Sequence, residues 1–255
     1  MDEDLGLALQ LADAADEITL ARFGATDLIV ETKPDLTPVS EADRAVEETL
    51  RDRLARERPG DAIFGEEFGG DDVHPPGRRW IIDPIDGTKG YVRGTPVWAT
   101  LLALEVDGEV GLGVVSAPAL GRRWWGSLDG GGAFSDRGPL RVSAVGELAD
   151  AVFCFGGLED WRVTDRLHQL LELGSRCWRT RGYGDFWMYM LVAEGAAELA
   201  CDPAAELWDL AAPLAVVRAA EGRFTDLAGT TTAAGGGGLA SNGLVHEAAR
   251  TILAG

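Results

Sequence analysis

Apolar residues recur at Leu7, Leu11, Ala14, Ala15, Ile18 and Ala21, with acids placed between them. That spacing predicts an amphipathic helix over residues 5–23, about five turns long. A second helix is predicted over 41–57, entered through Ser40 with Asp43 three positions on, which is close to a capping box. Between them Gly24 breaks the first helix, 27–32 reads as extended, and two prolines make 33–38 a loop. Shorter apolar runs follow. Ala62–Phe64 and Trp80–Ile82 read as strands that end in acids, the first at Gly65-Glu66-Glu67 and the second at Asp83, where Pro84 stops the run.

From Pro96 to Gly126 the pattern is an antiparallel meander. Its strands are Val97–Glu105, Val110–Ser116 after the Asp107-Gly108 hairpin signal, and Arg123–Ser127. Glycines over 130–138 predict a loop, and Leu140–Ser143 an edge strand. Near 145–150 the pattern changes to alternation. Strands are expected at 151–155, 176–179, 197–201, 223–226 and 239–241, with helices at 160–173, 185–194, 207–220 and 245–253. This predicts an α/β layered fold, with an N-terminal half over 1–146 and a C-terminal half over 147–255 forming one compact unit. Gly235–Gly238 reads as a surface loop, since it lacks the lysine and hydroxyl residue of a phosphate loop. No internal repeat is visible.

Composition adds one sharp constraint. A 46% hydrophobic and 25% charged content is ordinary for a soluble protein, but the formal net charge is −19. Nucleic acid and anionic membranes are therefore not expected as partners, and an anionic substrate needs local positive charge to approach. Cys154, Cys177 and Cys201 are odd in number and apolar in setting, as reduced thiols of a cytoplasmic protein would be. Met1–Asp4 is acidic where a signal peptide would be basic, and no apolar run reaches the ~20 residues of a membrane span. The two lysines, Lys33 and Lys89, stand out only against a high arginine content, which we read as composition.

The candidate chemistry lies at the strand ends. Asp83 and Asp86 need a partner, and a hard divalent cation such as Mg²⁺ takes oxygen ligands only. Adjacent strands would bring Glu66 beside them, and three converging carboxylates favour a metal site. Asp43 has two readings at this point: a first-turn acid favoured by the helix dipole, or a carboxylate aimed into the site.

Gly65-Glu66-Glu67, Asp83-Pro84-Ile85-Asp86-Gly87-Thr88 and Trp208-Asp209-Leu210-Ala211-Ala212, in this order and spacing, resemble the inositol monophosphatase superfamily of Mg²⁺-dependent, lithium-type phosphomonoesterases along nearly the whole chain. The resemblance implies an αβαβα sandwich like that of inositol monophosphatase and fructose bisphosphatase, a homodimer, and a small phosphate monoester as substrate. It implies a first metal site from Glu66, Asp83 and the Ile85 carbonyl, and a second from Asp83, Asp86 and Asp209. A weaker third ion would use Glu66 and water, so two or three Mg²⁺ are expected, with Mn²⁺ as a substitute. Thr88 with Asp43 resembles the pair that orients the attacking water beside Glu66. The amides of Gly87 and Thr88, at a helix start, would meet phosphate oxygens.

Arg79–Lys89, Tyr91–Trp98 and Arg179–Trp187 are similar to the bacterial histidinol-phosphatases of this superfamily. The likeness implies L-histidinol phosphate as substrate, with inositol 1-phosphate as the alternative and another small phosphomonoester or a bisphosphorylated nucleotide or sugar behind it. Arg181, Asp185 and Asp202 are candidates for holding the organic part of the substrate, or else ordinary ion-pairing residues. Gly90 stands where the family usually has asparagine, and Ala219-Ala220-Glu221-Gly222 where it has glutamate-alanine-glycine-glycine; neither change removes a ligand. Two rivals fit less well. The covalent-aspartate phosphatases carry two acids two apart near the N-terminus, whereas Asp83 and Asp86 are three apart. A degenerate metal-binding scaffold would lack a ligand, and none is missing.

Overall fold

The computed structural model describes residues 2–34, 36–70 and 77–255; Met1 of the acidic start and Asp35 of the predicted 33–38 loop lie outside them. Helices α1 (Asp2–Arg22) and α2 (Glu41–Glu57) flank a short antiparallel ribbon, β1 (Val30–Thr32) with β2 (Pro38–Ser40). The stripe of α1, Leu7, Leu11 and Ala15, packs with Val46, Leu50 and Leu54 of α2 onto one face of a sheet. Seven strands make that sheet: β3 (Ala62–Gly65), β4 (Arg78–Asp86), β5 (Ala99–Val106), β6 (Glu109–Ala117), β7 (Arg122–Ser127), β8 (Gly132–Ser135) and β9 (Gly138–Pro139). They lie in chain order, β3 parallel to β4 and every later pair antiparallel. A single helical turn, α3 (Thr88–Tyr91), leaves β4.

The C-terminal part builds a second sheet from β10 (Val152–Phe155), β11 (Arg179–Arg181), β12 (Leu199–Asp202), β13 (Arg223–Thr225) and β14 (Gly238–Ser241), in the order β11-β10-β12-β14-β13. Its helices are α4 (Leu158–Val163), α5 (Leu167–Arg176), α6 (Asp185–Ala193), α7 (Leu207–Ala219) and α8 (His246–Ala254). Side-chain alternation assigns the layers. Trp80, Ile82, Leu102 and Leu104 face α1 and α2, while Ile81, Leu101 and Ala103 face the α6–α7 layer. In the second sheet Cys154, Ala200 and Ala240 face that same layer, and Phe153, Leu199 and Leu239 face outward to the packing of α5 and α8. The five layers are α, β, α, β, α, as the resemblance implied. One core cluster takes residues from both sides of position 146.

Sandwiched between two sheets, α7 is buried on every side from Leu210 to Val217, so it shows no amphipathic period. Its small residues let it approach closely. A Cβ at Gly113 of β6 would collide with the Ala212 carbonyl, and one at Gly126 of β7 would lie 2.8 Å from the Ala219 Cβ. Among the described residues no helix is long and apolar enough to cross a membrane. The cysteines are free, with Cys154 and Cys201 buried and Cys177 half-buried.

Four local expectations are corrected. The helix expected over 160–173 is two helices, because Asp165 adopts φ 56° and the Arg166 amide donates back to the Trp161 carbonyl at 2.8 Å, closing a Schellman-type end. The strand expected at 176–179 lies at Arg179–Arg181, since α5 continues through Arg176. The glycine-rich 130–138 segment is a hairpin return in which Phe134 stacks on Trp125 at 6.4 Å. Leu140–Ser143 forms no strand, because the Leu140 amide goes to Ala133 and the Val142 amide to the end of α7 at Ala220. Gly113→Val should cost about 1–3 kcal/mol of folding free energy by overpacking; urea unfolding showing no loss would contradict the close α7–β6 contact.

Candidate active site

Residues three apart on a regular strand point to opposite faces. Asp83 and Asp86 escape this because the β4–β5 register shifts between them: Asp83 pairs with Leu101 and Asp86 with Ala99, three steps on β4 against two on β5. The bulge sits at Pro84, which has no amide to give the ladder and whose carbonyl instead accepts the Thr100 hydroxyl at 2.8 Å. The third acid arrives from far along the chain. Asp209 is the third residue of α7, and its Oδ2 accepts the Glu206 amide at 2.8 Å in a capping box. Asp83, Asp86 and Asp209 each bring a carboxylate oxygen within 4.8 Å of the others.

Three helix N-termini face this cluster. Besides α7, α6 directs its Phe186 amide to Asp86 Oδ2 at 2.6 Å, and α2 presents Asp43. The capping box read from Ser40 is present, with the Ser40 amide and hydroxyl both donating to Asp43 Oδ2 at 2.8 and 2.6 Å. Its Oδ1 lies 3.1 Å from the Thr88 hydroxyl, which is also 2.9 Å from the Ile85 carbonyl. Asp43 thus caps α2 with one carboxylate oxygen and reaches Thr88 with the other. Gly87 precedes α3 at φ 87°, where a side chain would be strained and its Cβ would sit 3.0 Å from the Val97 carbonyl.

Glu66 leaves the end of β3 beside β4, its amide donating to the Ile82 carbonyl at 3.1 Å. Its carboxylate is paired with Lys33, whose Nζ lies 2.8 Å from Glu66 Oε1 and 2.6 Å from Glu67 Oε1. A cleft of about 340 Å³ opens over the cluster, lined by Glu66, Asp86, Gly87, Thr88, Asp185 and Asp209 among others. Asp185 takes φ 48°, a left-handed conformation uncommon away from glycine. Asp202 also lines the cleft, whereas Arg181 does not. Arg181 stands opposite Cys154 on edge strand β11, with its guanidinium donating to the Thr180 carbonyl at 2.7 Å. Sequence reasoning passed over Lys89, Asp160 and Tyr189, which line the cleft as well. One signal was available. The only two lysines in the chain, Lys33 and Lys89, both stand at this site.

Burial and mutual repulsion hold these acids out of their usual range. Asp83 is pushed well up, first by burial and then by the charges of Glu66, Asp86 and Asp209; Asp86 is raised by burial and by Asp185 and Asp209. Burial lifts Asp209 to about 7 and Asp202 to about 7. Among the described residues Asp83 Oδ1 is buried with no hydrogen-bond partner. A buried orphan oxygen within a repelling all-oxygen donor set suits a hard divalent cation, so the residues fit the ions that the motifs imply.

The layered αβαβα fold, the acid cluster beneath a polar cleft and the relatives that the chain matches together identify a phosphomonoesterase. The inositol monophosphatase family model matches residues 1–254. Histidinol-phosphatases are similar: that of Mycobacterium tuberculosis is 52% identical over 256 residues, covering 98% of both chains. That of Streptomyces coelicolor is 53% identical over 254 residues, covering 96% of this chain and 94% of its own. The solved Thermotoga maritima inositol monophosphatase superposes with a TM-score of 0.87 at 30% identity, over 100% of this chain and 97% of that one. The chain belongs to the inositol monophosphatase family.

The raised carboxylates make a pH signature. With Asp209 and Asp202 held near 7 in the folded protein against 3.8 ordinarily, the folded state binds protons that the unfolded chain has released. Their contribution is full below the ordinary value and is lost as pH rises through about 7. His246, lowered by burial from 6.5 to about 4, works the other way below pH 6.5, because its imidazole is neutral in the folded protein where the unfolded chain's is charged, and it offsets part of the fall. The melting temperature of EDTA-treated protein should therefore fall as pH rises from about 4 to about 7 and level off above that, and millimolar Mg²⁺ should flatten the slope. An EDTA-treated protein with no slope would contradict the electrostatics of the cluster.

Proposed function

We propose that the chain hydrolyses L-histidinol phosphate to L-histidinol and phosphate, using Mg²⁺ and an attacking water. The observation that carries the substrate choice is the cleft wall. Asp160, Asp185 and Asp202 line it, and carboxylates suit the ammonium and imidazole of histidinol better than the neutral hydroxyls of inositol. The histidinol-phosphatase relatives support the same choice.

Glu66, Asp83 and the Ile85 carbonyl would hold one ion, and Asp83, Asp86 and Asp209 another. Bound there, Mg²⁺ supplies positive charge for the phosphate and the leaving alkoxide and lowers the pKa of the attacking water. The residues of the chain orient the reaction. The Thr88 hydroxyl has one hydrogen for two acceptors within reach, Asp43 Oδ1 and the Ile85 carbonyl. When it donates to Asp43, its own oxygen is free to accept from the water, and Ser40 fixes the other oxygen of Asp43. Glu66, at the cleft, stands as the acceptor for the proton of that water. Main-chain amides at Gly87 and Thr88 face phosphate oxygens across the turn that Gly87 permits. The homodimer implied by the resemblance and the cytoplasmic location read from the cysteines belong to this same proposal.

Kinetics on the two candidate substrates tests the reading. kcat/KM should be higher for histidinol phosphate than for inositol 1-phosphate, and Asp185→Ala should narrow the ratio; equal or reversed values would remove histidinol phosphate as the substrate. Asp83→Asn should lower kcat by about a hundredfold or more with circular dichroism unchanged. Full activity of that variant at millimolar Mg²⁺ would show that the ligands lie elsewhere.

A further inference from the structure

One turn beyond Asp43, α2 carries a second fully buried carboxylate, Glu47. Four residues on, it leaves the same face of the helix. It does not line the cleft. Its Oε2 accepts the Glu67 amide at 2.8 Å, while Oε1 accepts the Phe68 amide at 3.3 Å and Arg51 Nε at 2.8 Å. Arg51 Nη2 donates in turn to the Gly69 carbonyl. The 65–69 loop is also closed on itself by two reciprocal bonds between Gly65 and Gly69, each 3.0 Å.

This loop carries Glu66. The Glu66 amide is tied to Ile82 on β4 and the next amide to Glu47, so the backbone on both sides of its Cα is fixed. Gly65 is required by the same contact. A Cβ there would overlap the Glu47 carboxylate, with Oε2 only 2.7 Å away. The carboxylate thus occupies the space that any side chain at position 65 would need, and its charge is matched by two backbone donors and one guanidinium.

We infer that Glu47, with Arg51, is a positioning residue that sets where the Glu66 carboxylate stands relative to Asp83, Asp86 and Asp209, and so sets the affinity of the site for its divalent cation. The inference rests on the reading of Glu66 as a metal ligand. Residues that orient ligands from behind cost about 10–100-fold in metal affinity when lost.

The test is a MgCl₂ titration, read as the activation constant at saturating substrate and as the Mg²⁺-induced rise in Tm. It compares wild type, Glu66→Gln, Glu47→Gln, Arg51→Gln and the Glu47→Gln/Glu66→Gln double variant. Glu47→Gln should raise the Mg²⁺ constant about tenfold or more while the substrate KM changes by less than about twofold. Arg51→Gln should move it the same way. The double variant should be no weaker for Mg²⁺ than Glu66→Gln alone, since Glu47 acts through Glu66. Unchanged Mg²⁺ constants in Glu47→Gln and Arg51→Gln, or losses that add in the double variant, would overturn the inference. Should Glu47→Gln fail to fold, Arg51→Gln decides alone, its side chain being partly exposed. A Glu66→Gln variant with a wild-type Mg²⁺ constant would instead remove the metal role of Glu66, a result distinguishable from the others.

Discussion

Carboxylates that share a buried space repel one another, and each would rather bind a proton than stay charged. Asp83, Asp86 and Asp209 are nevertheless brought within 4.8 Å, and much of the surrounding architecture holds them there. A bulge at Pro84 turns two acids of one strand the same way. The N-termini of α2, α6 and α7 point toward the cluster, where their partial positive charge offsets some of the negative. Lys33 ties Glu66 and Glu67 at its edge. What these devices leave uncompensated is the electrostatic reason for a divalent cation.

The helix ends serve two purposes. Asp43 and Asp209 are each the third residue of a helix and each returns a bond to the residue before it, as an N-terminal acid does in any capping box. The same placement aims Asp43 at Thr88 and Asp209 at the aspartates of β4. Capping fixes the rotamer, so orientation for chemistry comes with helix formation. Glu47 extends this logic one turn further along α2, where it holds a loop rather than a helix end.

Much of this was legible in the chain, and the parts that were not share a cause. Hydrophobic spacing located both long N-terminal helices, the meander and most C-terminal elements, and the strand-end acids announced the cluster. The break at Asp165 escaped because an aspartate in a left-handed conformation leaves no glycine to mark it. The 130–138 hairpin was hidden because its glycines, which suggested a loop, serve as the turn, while Ala133 and Phe134 pair with β7. Lys33 and Lys89 read as composition in a chain rich in arginine, although their scarcity is itself the signal. Arg181, read as either a substrate-holding or an ion-pairing residue, stands on β11 opposite Cys154 and outside the cleft lining.

If repulsion among these acids is what the cation relieves, binding must expel the protons that the repulsion retains. Calorimetric titration of Mg²⁺ into metal-free protein at pH 7, repeated in buffers of different ionisation enthalpy, measures those protons directly. The apparent enthalpy should vary with the buffer and correspond to release of on the order of one proton per chain, a release that Asp83→Asn should diminish. Binding with an enthalpy independent of buffer would show that the carboxylates are already fully ionised and would contradict the account.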